Sequence, residues 1–324
     1  MLFLPIMKVT EHIAKANGKT LISFEILPPL KGKGIVTLYQ QLDPLVELKP
    51  AFINVTYHRS EFSFKKRADG TFERVVLRKR PGTESICAAI MNKYNVNTVP
   101  HLICGGFSVN DTEDALINLN YLGIDNVLVL RGDAPKNESS FEPEPNGHSY
   151  AIDLLKQVKN MNDGIYIDDS LTNTSKTKFC IGVAGYPEKH FEAPNFDLDL
   201  RYLKAKVDAG ADYIVTQMFF DNQKFFEFVR RCRDIGINVP IIPGLKPIYS
   251  KRQLSLLPKV FHIDLPNDLT HAILDTKTDK QAEQVGKEWL IQQSKELLEF
   301  GVPILHYYTV GRPSIVEAAI KHIF

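Results

Sequence analysis

Two polar side chains inside apolar segments are the residues of this 324-residue chain whose types and positions could do chemistry. Glu25 lies within the run Ile22–Ile26, and Gln217 lies within the run Ile214–Phe220. A carboxyl group can transfer a proton, and an amide can both donate and accept a hydrogen bond. Because an unpaired polar group is costly to bury, both positions favour a functional role over a structural one.

The elements that must position these residues alternate between strand-like and helix-like patterns. Short β-branched and apolar runs recur at residues 21–26, 51–57, 97–103, 126–131, 179–184, 213–218, 240–244 and 302–308. Amphipathic segments follow them at residues 37–48, 84–94, 112–122, 150–158, 198–209, 223–235, 251–300 and 314–322. Strands that alternate with helices, without a cluster of consecutive hairpins, indicate a parallel sheet.

Eight strand–helix units of about 40 residues each are typical of a (β/α)8 TIM barrel. We therefore predict an α/β protein in which residues 1–324 form a single barrel domain, rather than the two domains that length alone suggests. An extra helix over residues 10–17 precedes the first strand, and Asn110 with Asp111 begins the helix after the third strand. Residues 160–178 are predicted to form a flexible surface loop.

A doubly wound dinucleotide-binding sheet is the competing fold, and the sequence lacks its glycine-rich turn. The first strand leads into Leu27-Pro28-Pro29, whose prolines prevent a tight phosphate-binding turn. Gly32-Lys33-Gly34 and Gly105-Gly106 fit neither a P-loop nor a dinucleotide fingerprint, so we interpret them as solvated turns. The pattern therefore favours the barrel, whose functional residues lie at the carboxyl ends of its strands.

Composition and charge argue against several classes of function. With 39 Lys and Arg against 38 Asp and Glu, the net charge is +1, so no global field attracts nucleic acid or an anionic membrane. The 4 cysteines form no C-x-x-C pair, and no histidine cluster has zinc-ligand spacing, so we predict neither a metal site nor a disulfide framework. Without a signal peptide or an apolar run of about 20 residues, the expected location is the cytoplasm.

Nine short motifs, in register from about residue 20 to the C-terminus, carry a resemblance to a known family. They are Phe24–Pro29, Asn54–Tyr57, Pro100–Leu102, Leu130–Asp133, Ala184–Glu188, Lys206–Asp212, Thr216–Asp221, Ile242–Pro247 and His306–Thr309. Together they resemble methylenetetrahydrofolate reductase in its short bacterial form. The regulatory domain of the long eukaryotic form, and inhibition by S-adenosylmethionine through it, are then not expected.

The resemblance implies an FAD cofactor that lies across the top of the barrel without a Rossmann motif. By similarity, the FAD-binding residues are Thr56, His101, Arg131, Gly132, Asp133, Tyr150, Ala151, Ala184, Tyr186, His190, Ala193, Asp199 and Lys206. Arg131 and Lys206 suit the pyrophosphate and ribose because each supplies positive charge in a nearly neutral protein. Tyr202 and Ala205, at the adenosine end, replace residues that are often polar or basic in the family.

The resemblance also implies reduction of 5,10-methylenetetrahydrofolate to 5-methyltetrahydrofolate, which feeds methionine synthesis. NADH or NADPH reduces FAD and leaves, and the folate then takes the hydride in a ping-pong reaction. Glu25 matches the general acid, and its apolar neighbours and following prolines predict a raised pKa. Asp133 matches a carboxylate that favours the iminium cation of the substrate, and Gln217 matches an amide that contacts both reactants. Further folate contacts are implied at Gln253, Leu257 and Arg312.

Two other classes of protein stay open on the sequence. Another FAD-binding barrel oxidoreductase, similar to proline dehydrogenase, would share the cofactor site, and a non-catalytic barrel would keep the fold alone. The Phe24–Pro29 motif and Gln217 argue against the first class. The presence of Glu25, Asp133 and Gln217 together argues against the second. The resemblance further implies a homo-oligomer and does not distinguish NADH from NADPH.

Overall fold

The strands and helices alternate along the chain in the computed structural model, which describes residues 7–134, 140–309 and 312–324. The strands are β1 (Leu21–Ile26), β2 (Phe52–Val55), β3 (Glu61–Lys66), β4 (Phe72–Leu77), β5 (Asn97–Ile103), β6 (Asn126–Leu130), β7 (Cys180–Gly185), β8 (Tyr213–Met218), β9 (Ile241–Leu245) and β10 (Ile304–Tyr308). The helices are α1 (Val9–Lys15), α2 (Ile35–Val46), α3 (Thr83–Tyr94), α4 (Val109–Tyr121), α5 (Ala151–Asn162), α6 (Phe196–Asp208), α7 (Asn222–Asp234), α8 (Gln253–Phe261), α9 (Asn267–Leu274), α10 (Asp279–Phe300) and α11 (Pro313–Ile323).

Eight of the strands close into a parallel barrel in the order β1-β2-β5-β6-β7-β8-β9-β10, and β10 pairs with β1. The predicted fold class, a (β/α)8 barrel preceded by an extra helix, is confirmed. The predicted strands 21–26, 97–103 and 213–218 have the bounds of β1, β5 and β8, and the other bounds shift by one or two residues. The predicted helical region 251–300 divides into α8, α9 and α10.

The start of α4 differs from the prediction. Ser108, rather than Asn110, caps the helix, because its hydroxyl accepts a hydrogen bond from the Asp111 amide at 3.2 Å. The Asp111 carboxylate accepts a hydrogen bond from the Ser108 amide at 2.9 Å in return. This reciprocal capping box satisfies two amides that a helix start leaves without partners.

One hairpin lies outside the alternating pattern and was not predicted. β3 and β4 pair antiparallel between β2 and α3, and they belong to a separate two-stranded sheet. The turn between them contains Asp69-Gly70, and Gly70 has a φ of 86°. An Asp-Gly pair between runs that alternate apolar and polar residues is a hairpin signal. This hairpin could therefore have been predicted from the sequence.

Apolar side chains fill two layers, one between the strands and the helices and one inside the barrel. The interior layer contains Phe52, Val99 and Tyr213, and Val9 of α1 packs against it from the amino ends of the strands. The Tyr213 ring packs directly against Gly182. A Cβ atom at Gly182 would clash, because it would lie 2.3 Å from the ring. The lower part of the barrel is thus a packed core that is covered by α1.

The predicted loop at residues 160–178 begins later than expected, because residues 160–162 still belong to α5. The following residues form no helix or strand, yet they make specific contacts. The Asn162 side chain accepts hydrogen bonds from the Phe179 amide at 2.8 Å and from the Thr177 hydroxyl at 2.7 Å. Flexibility of this segment stays a prediction.

Candidate active site

A layer of polar side chains lies inside the barrel above the apolar interior. Ser23 and Glu25 share one face of β1 because residues two apart on a strand point to the same side. Ser23 pairs with His306 of β10, and its Oγ lies 2.8 Å from His306 Nδ1. Asn54 of β2 places its Nδ2 3.3 Å from His101 Nε2 of β5. Four strands therefore surround Glu25 with polar groups.

Glu25 is nearly buried between two imidazoles. Its Oε2 lies 3.4 Å from His101 Nε2 and 3.9 Å from His306 Nε2, and its side chain is 12% exposed. Burial raises the pKa of Glu25, but His306, His101 and Lys246 together lower that pKa by more. The raised pKa that the sequence predicts is therefore wrong, because the groups that decide it come from distant strands.

His101 is neutral at pH 7. Burial lowers the pKa of His101 to about 4, although the charge of Glu25 raises it. Its Nε2 lies near both Asn54 Nδ2, at 3.3 Å, and Glu25 Oε2, at 3.4 Å. A neutral imidazole carries one proton on its two ring nitrogens, so Nε2 either accepts a hydrogen bond from the Asn54 amide or presents an N–H towards Glu25.

The end of β2 leads from this layer to the mouth of the barrel. Thr56 Oγ1 donates to a main-chain carbonyl of β1 and lies 3.3 Å from His58 Nε2. Burial and the charge of Arg80 lower the pKa of His58, while Glu25 and Asp133 raise it. Burial and one cation therefore outweigh the carboxylates near His58, and the net effect lowers its pKa.

Gln217 lies in an irregular part of the barrel. The pairing of β8 with β9 shifts register between Val215 and Met218, and such a bulge redirects a side chain. Gln217 Oε1 accepts a hydrogen bond from the Met218 amide at 2.9 Å, while the Tyr308 hydroxyl donates to the carbonyl of Thr216 at 2.7 Å. Among the described residues the NH2 group of Gln217 has no hydrogen-bond partner, so it can serve a ligand.

The segment after β6 brings a cation and a carboxylate to the same edge. Arg131 donates two hydrogen bonds to Glu192, at 2.6 and 2.8 Å. Gly132 has a φ of 86°, a left-handed conformation that favours glycine, and it separates Arg131 from the exposed Asp133. Asp133 is close enough to raise the pKa values of both His58 and Tyr186.

The predicted residues of β7 and α6 meet beside Arg131. Lys206 Nζ donates to the Ala184 carbonyl at 2.8 Å, and burial lowers the pKa of Lys206 to about 8. The Asp199 carboxylate accepts a hydrogen bond from the His190 amide at 2.9 Å. Tyr186 meets the His190 ring edge-on, with the ring centres 4.7 Å apart. Lys206, Tyr186 and His190 thus continue the row of polar and aromatic side chains that begins at the end of β2.

Three other residues predicted to bind the cofactor occupy turns and a helix start. Tyr150 caps α5 and is 62% exposed, and Ala151 is the first residue of that helix. Ala193 is buried, and its amide donates to the carbonyl of His190 at 3.0 Å. Their contact with a cofactor stays a prediction.

Two of the predicted folate residues beyond Gln217, Gln253 and Arg312, lie near Tyr249. Gln253 is buried and accepts a hydrogen bond from the Tyr249 amide at 2.7 Å. The Arg312 guanidinium lies 5.7 Å from the centre of the Tyr249 ring and is exposed. Leu257 is 2% exposed and packs in an apolar cluster with Met218. Arg312 is therefore the most accessible of the three residues, and contact of all three with folate stays a prediction.

Sequence reasoning gave no role to Ser23, Asn54, His306 or Glu192. The first three are fully buried in the polar layer, and Glu192 forms the ion pair with Arg131. Strand periodicity could have found Ser23, which is two residues before Glu25. The partner of His306 depends on the register of two strands that lie 283 residues apart, for which the sequence carries no local signal.

The side chains at this edge fit a flavin dinucleotide. Arg131 and Lys206 supply cationic groups for a pyrophosphate, and Gly132, Ala184 and Ala193 carry little or no side chain. Buried atoms without hydrogen-bond partners, Asn54 Oδ1 and His306 Nε2, lie in the layer below. These features are compatible with a planar, hydrogen-bonding ring above the barrel.

Metal binding and membrane insertion find no support in the described ranges. No group of three or more His, Cys, Asp or Glu side chains there could hold a metal ion. The four cysteines are buried and unpaired, and burial raises the pKa of each thiol. Over the same residues no helix combines the length and apolar character needed to span a bilayer.

A closed parallel barrel with an acid, an amide and cations at the carboxyl ends of its strands defines a (β/α)8 barrel with an enzyme-like site. The family model described as methylenetetrahydrofolate reductase matches residues 8–323. The chain therefore belongs to the methylenetetrahydrofolate reductase family, and the resemblance predicted from its motifs is confirmed.

Two relatives show how much of each protein the sequence match covers. "Methylenetetrahydrofolate reductase (NADH) 1" of Arabidopsis thaliana is 34% identical over 317 residues, which cover 94% of this chain and 49% of that protein. The chain thus spans about half the length of the plant relative. The "5,10-methylenetetrahydrofolate reductase" of Pectobacterium carotovorum is 30% identical over 311 residues, which cover 96% of this chain and 92% of that protein. In extent, the match corresponds to the short bacterial form.

A solved structure supports the fold independently. An uncharacterised protein from Clostridium thermocellum, described as binding two copies of 5-methyl-5,6,7,8-tetrahydrofolic acid, superimposes with a TM-score of 0.59. The superposition covers 98% of this chain and 100% of that one, at 16% sequence identity. At this identity the likeness establishes the shared barrel fold.

Proposed function

We propose that this protein reduces 5,10-methylenetetrahydrofolate to 5-methyltetrahydrofolate, with FAD as its cofactor and NADH or NADPH as the electron donor. Membership of the family supports the reaction, and relatives named for NADH and for NADPH support a nicotinamide donor. The two reactants are proposed to react in turn at one site, in a ping-pong sequence whose product serves methionine synthesis.

The observation that carries the proposal is the position of Glu25. Its carboxyl group lies between His101 and His306, at the edge where Asp133 and Gln217 also stand. A nearly buried carboxyl group flanked by two imidazoles, beneath a polar rim, is suited to transfer a proton to a ligand that covers it.

The cofactor residues have distinct tasks. Arg131 and Lys206 would hold the pyrophosphate and ribose, and Thr56 and His101 would contact the ring system. Bound FAD supplies a hydride carrier between nicotinamide and folate. Gln217, whose amide both donates and accepts, would orient each reactant above that carrier.

Proton transfer would be the task of Glu25. The five-membered ring of the folate opens when N10 takes a proton, which leaves a cationic iminium at N5. Glu25 would give the proton at its Oε2, and the negative charge of Asp133 would favour the cation. A folate that covers Glu25 removes the remaining solvent, which raises the pKa of this carboxyl group and keeps the proton available.

The test separates the two half-reactions. Purified protein is expected to be yellow, to lose its flavin absorbance on anaerobic addition of NADH or NADPH, and to regain it with methylenetetrahydrofolate. Comparison of the two nucleotides at equal concentration identifies the donor. A colourless protein that releases no flavin on denaturation would instead indicate a non-catalytic barrel. Flavin that proline reduces, and that folate does not reoxidise, would indicate a proline dehydrogenase-like enzyme.

We also propose that the chain acts as a cytoplasmic homo-oligomer with one barrel domain per chain. The family resemblance supports this proposal. Size-exclusion chromatography with light scattering tests it, because a monomer would give a mass near 36.7 kDa.

A further inference from the structure

Lys246 is a buried lysine at the candidate site to which the proposed reaction gives no task. It directly follows β9, and it is 8% exposed. Lysine is almost never buried to this extent unless its charge is compensated, because an ammonium group loses its hydration on burial. The position of Lys246 therefore indicates that a neighbouring group stabilises its charge.

The register of the barrel brings Lys246 to the level of Glu25. Leu245, the last residue of β9, pairs with Tyr307 of β10. The next step along both strands brings Lys246 to the level of Tyr308, which pairs with Glu25 on β1. Since neighbouring strands lie about 4.8 Å apart, the backbones at Lys246 and Glu25 are separated by about 10 Å, a gap that two long side chains can largely close.

The Tyr308 ring keeps the lysine side chain in the upper part of the barrel. Gly244 leaves room for this ring, because a Cβ atom there would lie 2.6 Å from it. The Tyr308 hydroxyl donates to the carbonyl of Thr216 at 2.7 Å, so the ring crosses β9. Lys246 is two residues after Gly244 and shares its face, above the ring. The ring occupies the space below, so the ammonium group stays in the layer that contains Glu25.

Lys246 is the group near Glu25 that best keeps a positive charge at neutral pH. The titratable groups that face Glu25 are His58 after β2, His101 of β5, Lys246 after β9, and His306 and Tyr308 of β10. His101 is neutral at pH 7, because burial lowers its pKa to about 4. Burial raises the pKa of Tyr308, so the phenol is neutral as well. Lysine has an ordinary pKa of 10.5, against 6.5 for histidine.

Lys246 and Glu25 stabilise each other's charged form. Burial lowers the pKa of Lys246, and the charge of Glu25 raises it. The charge of Lys246 in turn lowers the pKa of Glu25, whereas burial of that carboxyl group raises it. In a layer with little solvent, a cation at this range changes the pKa of a carboxyl group by about one unit.

We propose that Lys246 is a positioning residue for the folate half-reaction, and that its buried ammonium is the counter-ion that holds Glu25 as a carboxylate in the open site. This inference rests on the proposed function and adds to it the group that sets the pH range of proton transfer. Glu25 then gains its proton when a ligand covers the site and weakens the hold of solvent on its charge.

Lys246→Met tests the inference, because methionine keeps much of the length of the side chain and removes the charge. For the FAD-loaded protein, reoxidation of the flavin by methylenetetrahydrofolate is followed from about pH 5.5 to 9.5. The pH at which this rate falls to half is expected to move up by about one unit, because the acid form of Glu25 persists to higher pH. Reduction of the flavin by NADH or NADPH is expected to keep its pH profile.

A second readout needs neither flavin nor turnover. Carbon-13 NMR of the full chain with labelled glutamate follows the titration of the Glu25 carboxyl group, whose signal is assigned by its loss in Glu25→Gln. We expect the midpoint in Lys246→Met to move up by about one unit here too. The other glutamate signals report whether the variant is folded. If it is not folded, Lys246→Gln, which removes the charge but keeps a polar end, is measured in the same way.

Two controls separate charge from shape and position. Lys246→Arg keeps the charge and is expected to restore most of the original midpoint in both measurements. Lys259→Met changes an exposed lysine of α8 and is expected to leave both midpoints unchanged.

Three outcomes would overturn the inference. The first is a midpoint that stays in place, or moves down, when the charge of Lys246 is removed. The second is an equal upward move in Lys246→Arg, which would show that shape rather than charge matters. The third is an equal move in Lys259→Met, which would show a general effect of net charge. If folate does not reoxidise the flavin of the unchanged protein, the proposed function fails, while the NMR titration still decides whether Lys246 is the counter-ion.

Discussion

Arg131 and Glu192 face each other through two parallel hydrogen bonds, at 2.6 and 2.8 Å, across the edge where the cofactor pyrophosphate is proposed to lie. A bidentate pair uses two of the five N–H groups of a guanidinium and fixes the plane of the others. Glu192 therefore orients Arg131 while it leaves donors for a phosphate.

Arg131→Met is expected to weaken FAD binding about tenfold or more, because it removes charge-assisted hydrogen bonds to the pyrophosphate. Fluorescence titration of apoprotein with FAD measures the effect. Arg230→Met is a matched control, since Arg230 also pairs bidentately with Glu227, but on the exposed face of α7. Equal losses in both variants would remove Arg131 from the cofactor site.

Glu25→Gln is expected to leave flavin reduction by NAD(P)H within about threefold, and to slow reoxidation by methylenetetrahydrofolate at least 100-fold. The amide keeps the size of the side chain but has no acidic proton. Stopped-flow absorbance of the flavin follows each half-reaction. Glu317→Gln, on α11, provides a control in which both rates stay unchanged. A similar loss in both half-reactions of Glu25→Gln would contradict the assignment.

The lowered pKa of Glu25 predicts a pH dependence for the folate half-reaction alone. The reaction needs the acid form, and the fraction of acid form falls as pH rises above the pKa. Reoxidation by folate is therefore expected to slow with increasing pH, approaching tenfold per unit well above the pKa, whereas flavin reduction stays flat. A folate rate that is independent of pH between 6 and 9 would contradict proton donation by this group.

Asp133→Asn is expected to slow the folate half-reaction by one to three orders of magnitude, the scale of one preorganised charge at a developing cation. The side chain is exposed at the rim, so the substitution should leave the fold intact. Single-turnover reoxidation measures the rate, and thermal unfolding checks the fold. An unchanged rate would exclude electrostatic help from Asp133.

The lowered pKa of His101 predicts that the protein becomes less stable in acid. Its folded pKa of about 4 lies below the ordinary value of 6.5, so the unfolded chain binds the proton more readily. The free energy of unfolding is therefore expected to fall as pH drops from 6.5 towards 4, by about 3 kcal/mol from this group. Urea unfolding at several pH values measures the slope, which His101→Gln should reduce. An identical slope in that variant would contradict the role of His101.

The sequence predicted the barrel because each strand shows its own local pattern of β-branched and apolar residues. It predicted Glu25 and Gln217 because a polar residue inside such a pattern is visible without any partner. It missed the polar layer around Glu25, since Ser23 and His306 meet only when the first and last strands of the barrel pair. The direction of the pKa of Glu25 was wrong for the same reason.

The β3–β4 hairpin was missed for a different reason. Its Asp69-Gly70 turn and alternating strands are local signals, but the expectation of strictly alternating strands and helices outweighed them. The pairing of Arg131 with Glu192 joins two loops 61 residues apart, and neither loop has a periodic pattern to predict it.

The helix α1 closes the amino end of the barrel, where the Asn126 side chain accepts a hydrogen bond from the Val9 amide at 2.8 Å. Side chains fill the interior below the polar layer, so the described part of the chain offers reactants one entrance, at the carboxyl end of the strands. In the proposed reaction, electron donor and folate would therefore enter the site by the same opening, one after the other. An excess of either reactant is then expected to inhibit the reaction by competing with the other for that opening.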